Sequence, residues 1–157
     1  MEAETLMDGY EKALEVMNEL FGKDCVFALA TAQKDKPSVR FVDTFYLDGS
    51  FFVVTHAKTQ KVQDLEGSSH VALTNQFHRF TGKGRNIGHP LRPENQQIRK
   101  TLITVFEPWY FPHNDENDKD MCYVEIELID GFFHKDGMGY SVNFLEGTAE
   151  IFPFERD

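Results

Sequence analysis

Apolar residues near the start of the chain recur at a helical period: Leu6, Tyr10, Leu14, Met17, Leu20 and Phe21, with Glu11, Lys12, Glu15 and Glu19 between them. That spacing lays an apolar stripe along one face of a helix ending near Gly22. The period then shortens. Residues 26–32 are a short apolar run of the length of a buried strand. Gln33-Lys34-Asp35-Lys36-Pro37 is a turn, and residues 39–47 and 51–55 have the β-branched and aromatic content of strands. Asp48-Gly49 between those two tolerates positive φ and predicts a tight hairpin.

Residues 58–65 read as one or two helical turns closed by Gly67. Residues 71–77 and 80–87 follow as strands, with Gly82-Lys83-Gly84 marking a bend or bulge. Pro93-Glu94 opens a second clear helix through Phe106, proline being tolerated in a first turn, and Glu107-Pro108 ends it. Residues 112–120 form a polar surface loop. Val124, Ile126 and Leu128 alternate with Glu125 and Glu127, predicting a half-exposed strand over 123–129. Residues 132–134 and 140–144 complete the sheet, and the tail after Glu146 has no strong period. Many short antiparallel strands with few helices predict one α+β domain over 1–157, mainly β, built as a small closed or split barrel.

Composition narrows the function classes. The 157 residues fit one domain, and an aromatic content of 13%, with 15 Phe, supplies a large apolar interior. No stretch approaches the ~20 apolar residues needed to cross a bilayer as a helix. The acidic Met1-Glu2-Ala3-Glu4 start is unlike a secretory signal. Cys25 and Cys122 make neither a disulfide framework nor a Cys-x-x-Cys site, so a cytoplasmic protein with two reduced thiols is the expectation. A net charge of −10 argues against nucleic-acid and anionic-membrane partners, both of which need a basic surface. A small anionic ligand needs only local cations.

Such cations stand in one place. Thr55, Lys58, Thr59 and Lys61 mark a strand-to-helix junction, and Arg40 lies on the neighbouring strand. Amides at a helix N-terminus lack intrahelical partners, and the helix dipole favours negative charge there. Pairing Leu47 with Ser50 across the hairpin sets position 40 near position 57, beside that helix start, where the Arg40 guanidinium suits a phosphate. The plainer alternative is that these are solvated charges and Thr59 only caps the helix.

The run from Ala30-Thr31-Ala32 to Pro37, then Arg40-Phe41-Val42, Asp48-Gly49, Phe52-Val53-Val54-Thr55 and Thr59-Gln60-Lys61, resembles the flavin-binding split-barrel family. That family includes pyridoxamine 5′-phosphate oxidase and the general-stress-protein-26 and nitroimidazole-resistance types. The resemblance covers most of residues 8–145, and the spacing of Arg40, Thr55 and Lys61 is its most specific part. It implies a six-stranded antiparallel split β-barrel with peripheral helices, a homodimer, and FMN bound at the subunit interface. It implies that Arg40 and Lys61 hold the FMN phosphate beside the Thr59 hydroxyl. Phe41 and Val42 would offer backbone groups to the isoalloxazine edge, and Val54 and Thr55 would line the ribityl and ring region. Gln60 stands where the oxidases carry arginine, and Gln76 would reach the flavin of the partner subunit. Trp109 is either a stacking partner of the ring or a core residue. The oxidases continue into a C-terminal segment with arginine and histidine, which has no counterpart here. The expectation is therefore an FMN-dependent oxidoreductase acting on a small molecule, not an oxidase of vitamin B6 synthesis.

The remaining signals are weaker. Residues 82–88 lack phosphate-loop spacing, and residues 115–120 lack the glycine and terminal acid of a calcium loop. Six histidines show no zinc spacing, and neither cysteine has a catalytic motif around it. A different class of function remains open: a non-catalytic carrier or stress module holding flavin or haem, for which His56 or His89 would be the axial ligand. A barrel that has lost its cofactor is the blandest reading.

Overall fold

Asp8 opens the first helix, α1 (Gly9–Phe21), by accepting a 3.0 Å hydrogen bond from the Tyr10 amide, and Gly22 closes it. The structure, a computed structural model, describes residues 8–155; Leu6, assigned above to this helix, lies outside them. There follow β1 (Cys25–Gln33), β2 (Lys36–Leu47), β3 (Ser50–His56), α2 (Gln60–Gly67), β4 (His70–Asn75) and β5 (His78–Gly88). A 3-10 turn over Pro93–Asn95 leads into α3 (Gln96–Val105), then α4 (Tyr110–His113), β6 (Met121–Lys135), β7 (Met138–Asn143) and β8 (Thr148–Pro153).

The strands make one antiparallel sheet in the order β3-β2-β1-β4-β5-β6-β7-β8, and β3 also pairs with β6. That second pairing closes six strands into a barrel and leaves β7 and β8 as an extension. The six-stranded antiparallel split barrel expected above is the fold observed. Asp48 and Gly49 turn the β2–β3 hairpin with φ of 48° and 89°, the conformation expected of Asp-Gly.

Two apolar clusters face opposite sides of the barrel wall. Inside, Phe21 enters from α1 and packs its ring against those of Phe27, Phe51, Phe80 and Phe133 at 5.5–6.1 Å. Outside β3 and β6, Phe45, Phe52, Met121 and Tyr123 are covered by Leu102, Phe106 and Tyr110 of the α3–α4 segment. No helix among the described residues is long and apolar enough to cross a membrane.

Three elements differ from their sequence reading. β6 is one strand of 15 residues where two were expected. The register slips between Thr81 and Gly82, leaving Ile129 unpaired on β6, and this bulge shifts the phase of its alternation. The bend read at Gly82 is the same irregularity. β8 forms in the tail that has no period, because it is a half-covered edge strand on β7 with no buried face to impose one. α4, folded around the buried Tyr110, was not expected, and its last two residues fall in the loop read over 112–120.

Candidate functional site

The β3–α2 junction brings the predicted hydroxyls together. Thr55, 8% exposed, places its Oγ1 3.5 Å from that of Thr59, and Thr59 donates to the His56 carbonyl at 2.9 Å. Thr59 is the N-cap residue of α2, yet no side chain caps the helix. The plainer alternative, in which Thr59 only caps the helix, is thus not what the structure has, and the first amides of α2 keep their polarity for another acceptor. Lys61, in the first turn, is half-buried. Burial, and then the nearby Arg40, pull its pKa below the ordinary lysine value. Among the described residues its electrostatic neighbours are Arg40 and Cys122 rather than a carboxylate. Burial pushes the Cys122 thiol up to about 11, so it stays protonated beside the lysine.

Arg40 arrives by a different route from the one inferred. The β2–β3 ladder covers only Phe45 to Leu47 against Ser50 to Phe52, and Arg40 pairs with Leu29 of β1 instead of reaching position 57. Its Nη1 donates to Thr31 Oγ1 at 2.7 Å and to the Leu29 carbonyl at 3.3 Å, while Nη2 lies 4.0 Å from Asp64. Asp64, fully buried on α2, also accepts from Thr31 at 2.7 Å and from Gln60 Nε2 at 2.6 Å. This network ties α2 to β1 and brings Arg40 beside Lys61. Gln60 is spent on Asp64 and on Gln33, 3.2 Å away. Lys58, counted among the candidate cations, pairs instead with Asp120 at 3.4 Å.

A groove of about 500 Å³ runs from Lys61 along the outer edge of β2 and β3. Phe41, Val42, Val54 and Trp109, all predicted site residues, line it, together with Val53, Asp43, His113 and Asn114. Trp109 is half-buried, stacks on Phe106 at 4.5 Å, and donates from Nε1 to Asp24 at 2.9 Å. It therefore combines a core contact with a face on the groove. Gln76 stands at the β4–β5 turn with φ of 53°, and does not line the groove.

Sequence reasoning missed Asp43, Asp64 and His113. Asp43 had one signal: it alternates with Phe41 on the outward side of β2. Asp64 sits one turn after Gln60 on α2, the i, i+4 spacing at which two side chains meet. His113 had none, since α4 was read as loop. His56 donates or accepts at Nε2 with Asp118, 2.9 Å away, and accepts the Lys58 amide at Nδ1. His89 is likewise engaged at both ring nitrogens, by the Asp118 carbonyl and the Leu91 amide.

Six strands closed through β3 and β6, with helices outside, define a split barrel, and this is the fold of pyridoxamine 5′-phosphate oxidase-like proteins. Among solved structures the chain is similar to a NimC/NimA family protein from Clostridium acetobutylicum, at 21% identity over 94% of this chain and 95% of that one, TM-score 0.56. It is similar to a pyridoxamine 5′-phosphate oxidase-related, FMN-binding protein from Nostoc punctiforme, at 11% identity over 96% and 100%, TM-score 0.57. A haem storage protein from Vibrio cholerae is also similar, at 12% identity over 78% and 91%, TM-score 0.54. At these identities the likeness is one of fold. No protein-family model matches the sequence, and no curated protein does.

Proposed function

We propose that this chain binds FMN without a covalent link and works as a flavin-dependent oxidoreductase on a small molecule. The observation that carries the reading is the α2 N-terminus. An uncapped helix start with two hydroxyls lies beside Lys61, which is half-buried, has no carboxylate partner among the described residues and lines a groove walled by Phe41, Val54 and Trp109. Cation, hydroxyl and amide donors suit a phosphate monoester, and aromatic and aliphatic walls suit a planar ring.

In this reading Lys61 and Arg40 bind the phosphate, with the α2 amides and Thr59 completing the cradle. Thr55 and Val54 line the ribityl and ring region. Phe41 and Val42 present backbone groups to the ring edge, Trp109 covers one side, and Gln60, held by Asp64, makes no phosphate bond. FMN would supply the electron-transfer chemistry, and the protein holds, orients and shields it.

The chain also acts as a homodimer in this proposal, with FMN at the subunit interface and Gln76 reaching in from the partner copy. The outer face of β1, β2 and β4 supports it: Val39 and Phe41 are 69% and 79% exposed over a floor of Ala28, Ala30 and Ala32. The haem alternative lacks a free imidazole at its two candidate positions, since His56 and His89 are held at both nitrogens.

The test is the absorption spectrum of purified protein before and after addition of FMN. Flavin bands and saturable binding are expected, with Lys61→Ala weakening affinity by about 1.5–3 kcal/mol through loss of charge-assisted bonds. A Soret band, or no binding of FMN, overturns the proposal.

A further inference from the structure

α4 ends on a side chain that the flavin reading leaves unused. Asn114 lines the groove where the chain leaves the helix in an extended conformation, with φ of −139° and ψ of 142°. Its Nδ2 donates to the carbonyl of Tyr110, one helical turn back, at 2.8 Å. A carbonyl can only accept, so the nitrogen of the carboxamide is fixed on that side and the oxygen is turned the other way. The anchor is itself held: Tyr110 is fully buried, and its hydroxyl is bonded to Glu116 and to Tyr123. Asn114 Oδ1 makes no hydrogen bond among the described residues. It is not sealed in either, since His134 Nε2 is the one buried side-chain polar atom left without a partner among those residues. The groove therefore contains an acceptor that is held in place, open and unused.

Resting on the flavin reading, we infer that Asn114 is the specificity residue of the groove: its Oδ1 accepts the one N–H of the oxidised flavin ring, which lies between two carbonyl groups. The other polar groups of the groove suit this contact less well. The Lys61 ammonium and the Trp109 indole can only donate, and the indole already donates to Asp24 at 2.9 Å. His113 is exposed, and no hydrogen bond among the described residues holds its ring. Asp43 is a second acceptor. A ring that covers a carboxylate has to strip water from a charge, whereas covering a carboxamide strips it only from a dipole. Asn114 is also preorganised, so it takes a donor with little further loss of side-chain freedom. The chemistry it recognises is a planar ring with an N–H between carbonyls and a phosphate tail. A ring alkylated at that nitrogen covers Oδ1 without offering it a donor, and an acceptor left in that state costs binding free energy.

Two probes separate this contact from a purely structural role: FMN and its derivative methylated at the ring N–H, each titrated by flavin fluorescence quenching. The wild-type chain should bind FMN at least about tenfold more tightly than the methylated ring. Asn114→Leu keeps the volume but has no acceptor, and should bind the two within about twofold of each other. If Asn114 does no more than close α4, or if the methyl group is rejected by its bulk alone, the wild-type ratio persists in Asn114→Leu. That result overturns this inference alone. A wild-type ratio near one, with FMN bound, overturns it as well, whatever the variant does. Absence of FMN binding to the wild-type chain overturns the flavin reading and this inference with it.

Discussion

Asp64 is the residue that holds Arg40 beside Lys61 at the start of α2. A fully buried carboxylate costs several kcal/mol unless its oxygens are satisfied, and here Thr31, Gln60 and the nearby Arg40 satisfy them. Asp64→Ala removes the acceptor for two donors and the counter-charge of Arg40. It should cost about 2–4 kcal/mol of stability, read as a lower denaturant midpoint, and should also weaken FMN binding by loosening Arg40. Thr31→Val, which keeps the shape, should cost less, about 1–2 kcal/mol. If Asp64→Ala destabilises the fold but leaves FMN affinity untouched, Arg40 does not depend on this network. The cations of the site were legible in the sequence because they run against the charge of the chain. Asp64 was not, because a sequence shows that Arg40 and Lys61 are positive but not that a buried acid on α2 lies 4.0 Å from one of them and orients it. The inferred register failed for a related reason. A tight hairpin fixes pairing only near its turn, and β2 leaves β3 for β1 after Phe45.

The α3–α4 segment shows how an element with little helical signal is held. Arg99 donates twice to Glu116, at 2.9 and 2.6 Å, Tyr110 donates to the same carboxylate at 2.8 Å, and Tyr123 of β6 donates to the Tyr110 hydroxyl. These bonds join α3, α4 and the following loop to the outer wall of the barrel, against which Trp109 is positioned. The Arg99 hydrogen bonds, partly opposed by burial, hold Glu116 below its ordinary value of 4.5. A carboxyl held low in the folded state contributes stability in full above its unfolded pKa, and loses it as pH falls through the folded value. Stability should therefore fall below about pH 4.5, and Glu116→Gln should flatten that part of a urea-midpoint profile between pH 3 and 7. An unchanged acid limb in the variant would remove Glu116 from the account. On β6, a Cβ at Gly131 would stand 2.3 Å from Cδ1 of the buried Phe80. Gly131→Ala should cost about 1–3 kcal/mol through displacement of that ring, seen as a lower Tm. The bulge beside it explains why β6 was read as two strands: alternation is a two-residue clock, and one unpaired residue resets it.

For the whole molecule the unusual surface is the outer face of β1 and β2. Ala28, Ala30 and Ala32 pair with Phe41, Val39 and Pro37, and Ala72 of β4 continues the small-residue floor on the other side. Alanines let an opposing sheet approach closely, and the flanking Val39 and Phe41 supply the apolar area that a stable interface buries. This face adjoins the groove, since Phe41 belongs to both, so association of two copies would finish the walls that one copy leaves open. Each chain carries −10, so a pair carries twice that, −20, while the proposed contact itself is apolar. Long-range repulsion between copies is screened by salt, and burial of apolar surface is not. The dimer should thus tighten as ionic strength rises from about 0.01 M to about 0.1 M, over which the screening length shrinks from about 30 Å to about 10 Å. Phosphate binding at Lys61 should weaken over the same range. Sedimentation equilibrium on the wild-type chain and on Ala30→Arg reads both effects. The arginine places a bulky charge at the centre of the floor, where no acid stands opposite in strand register, and should leave one copy at every salt concentration. A variant that still sediments as two copies would move the interface to another face, and with it the reason for Phe41 to stand exposed at the edge of the groove.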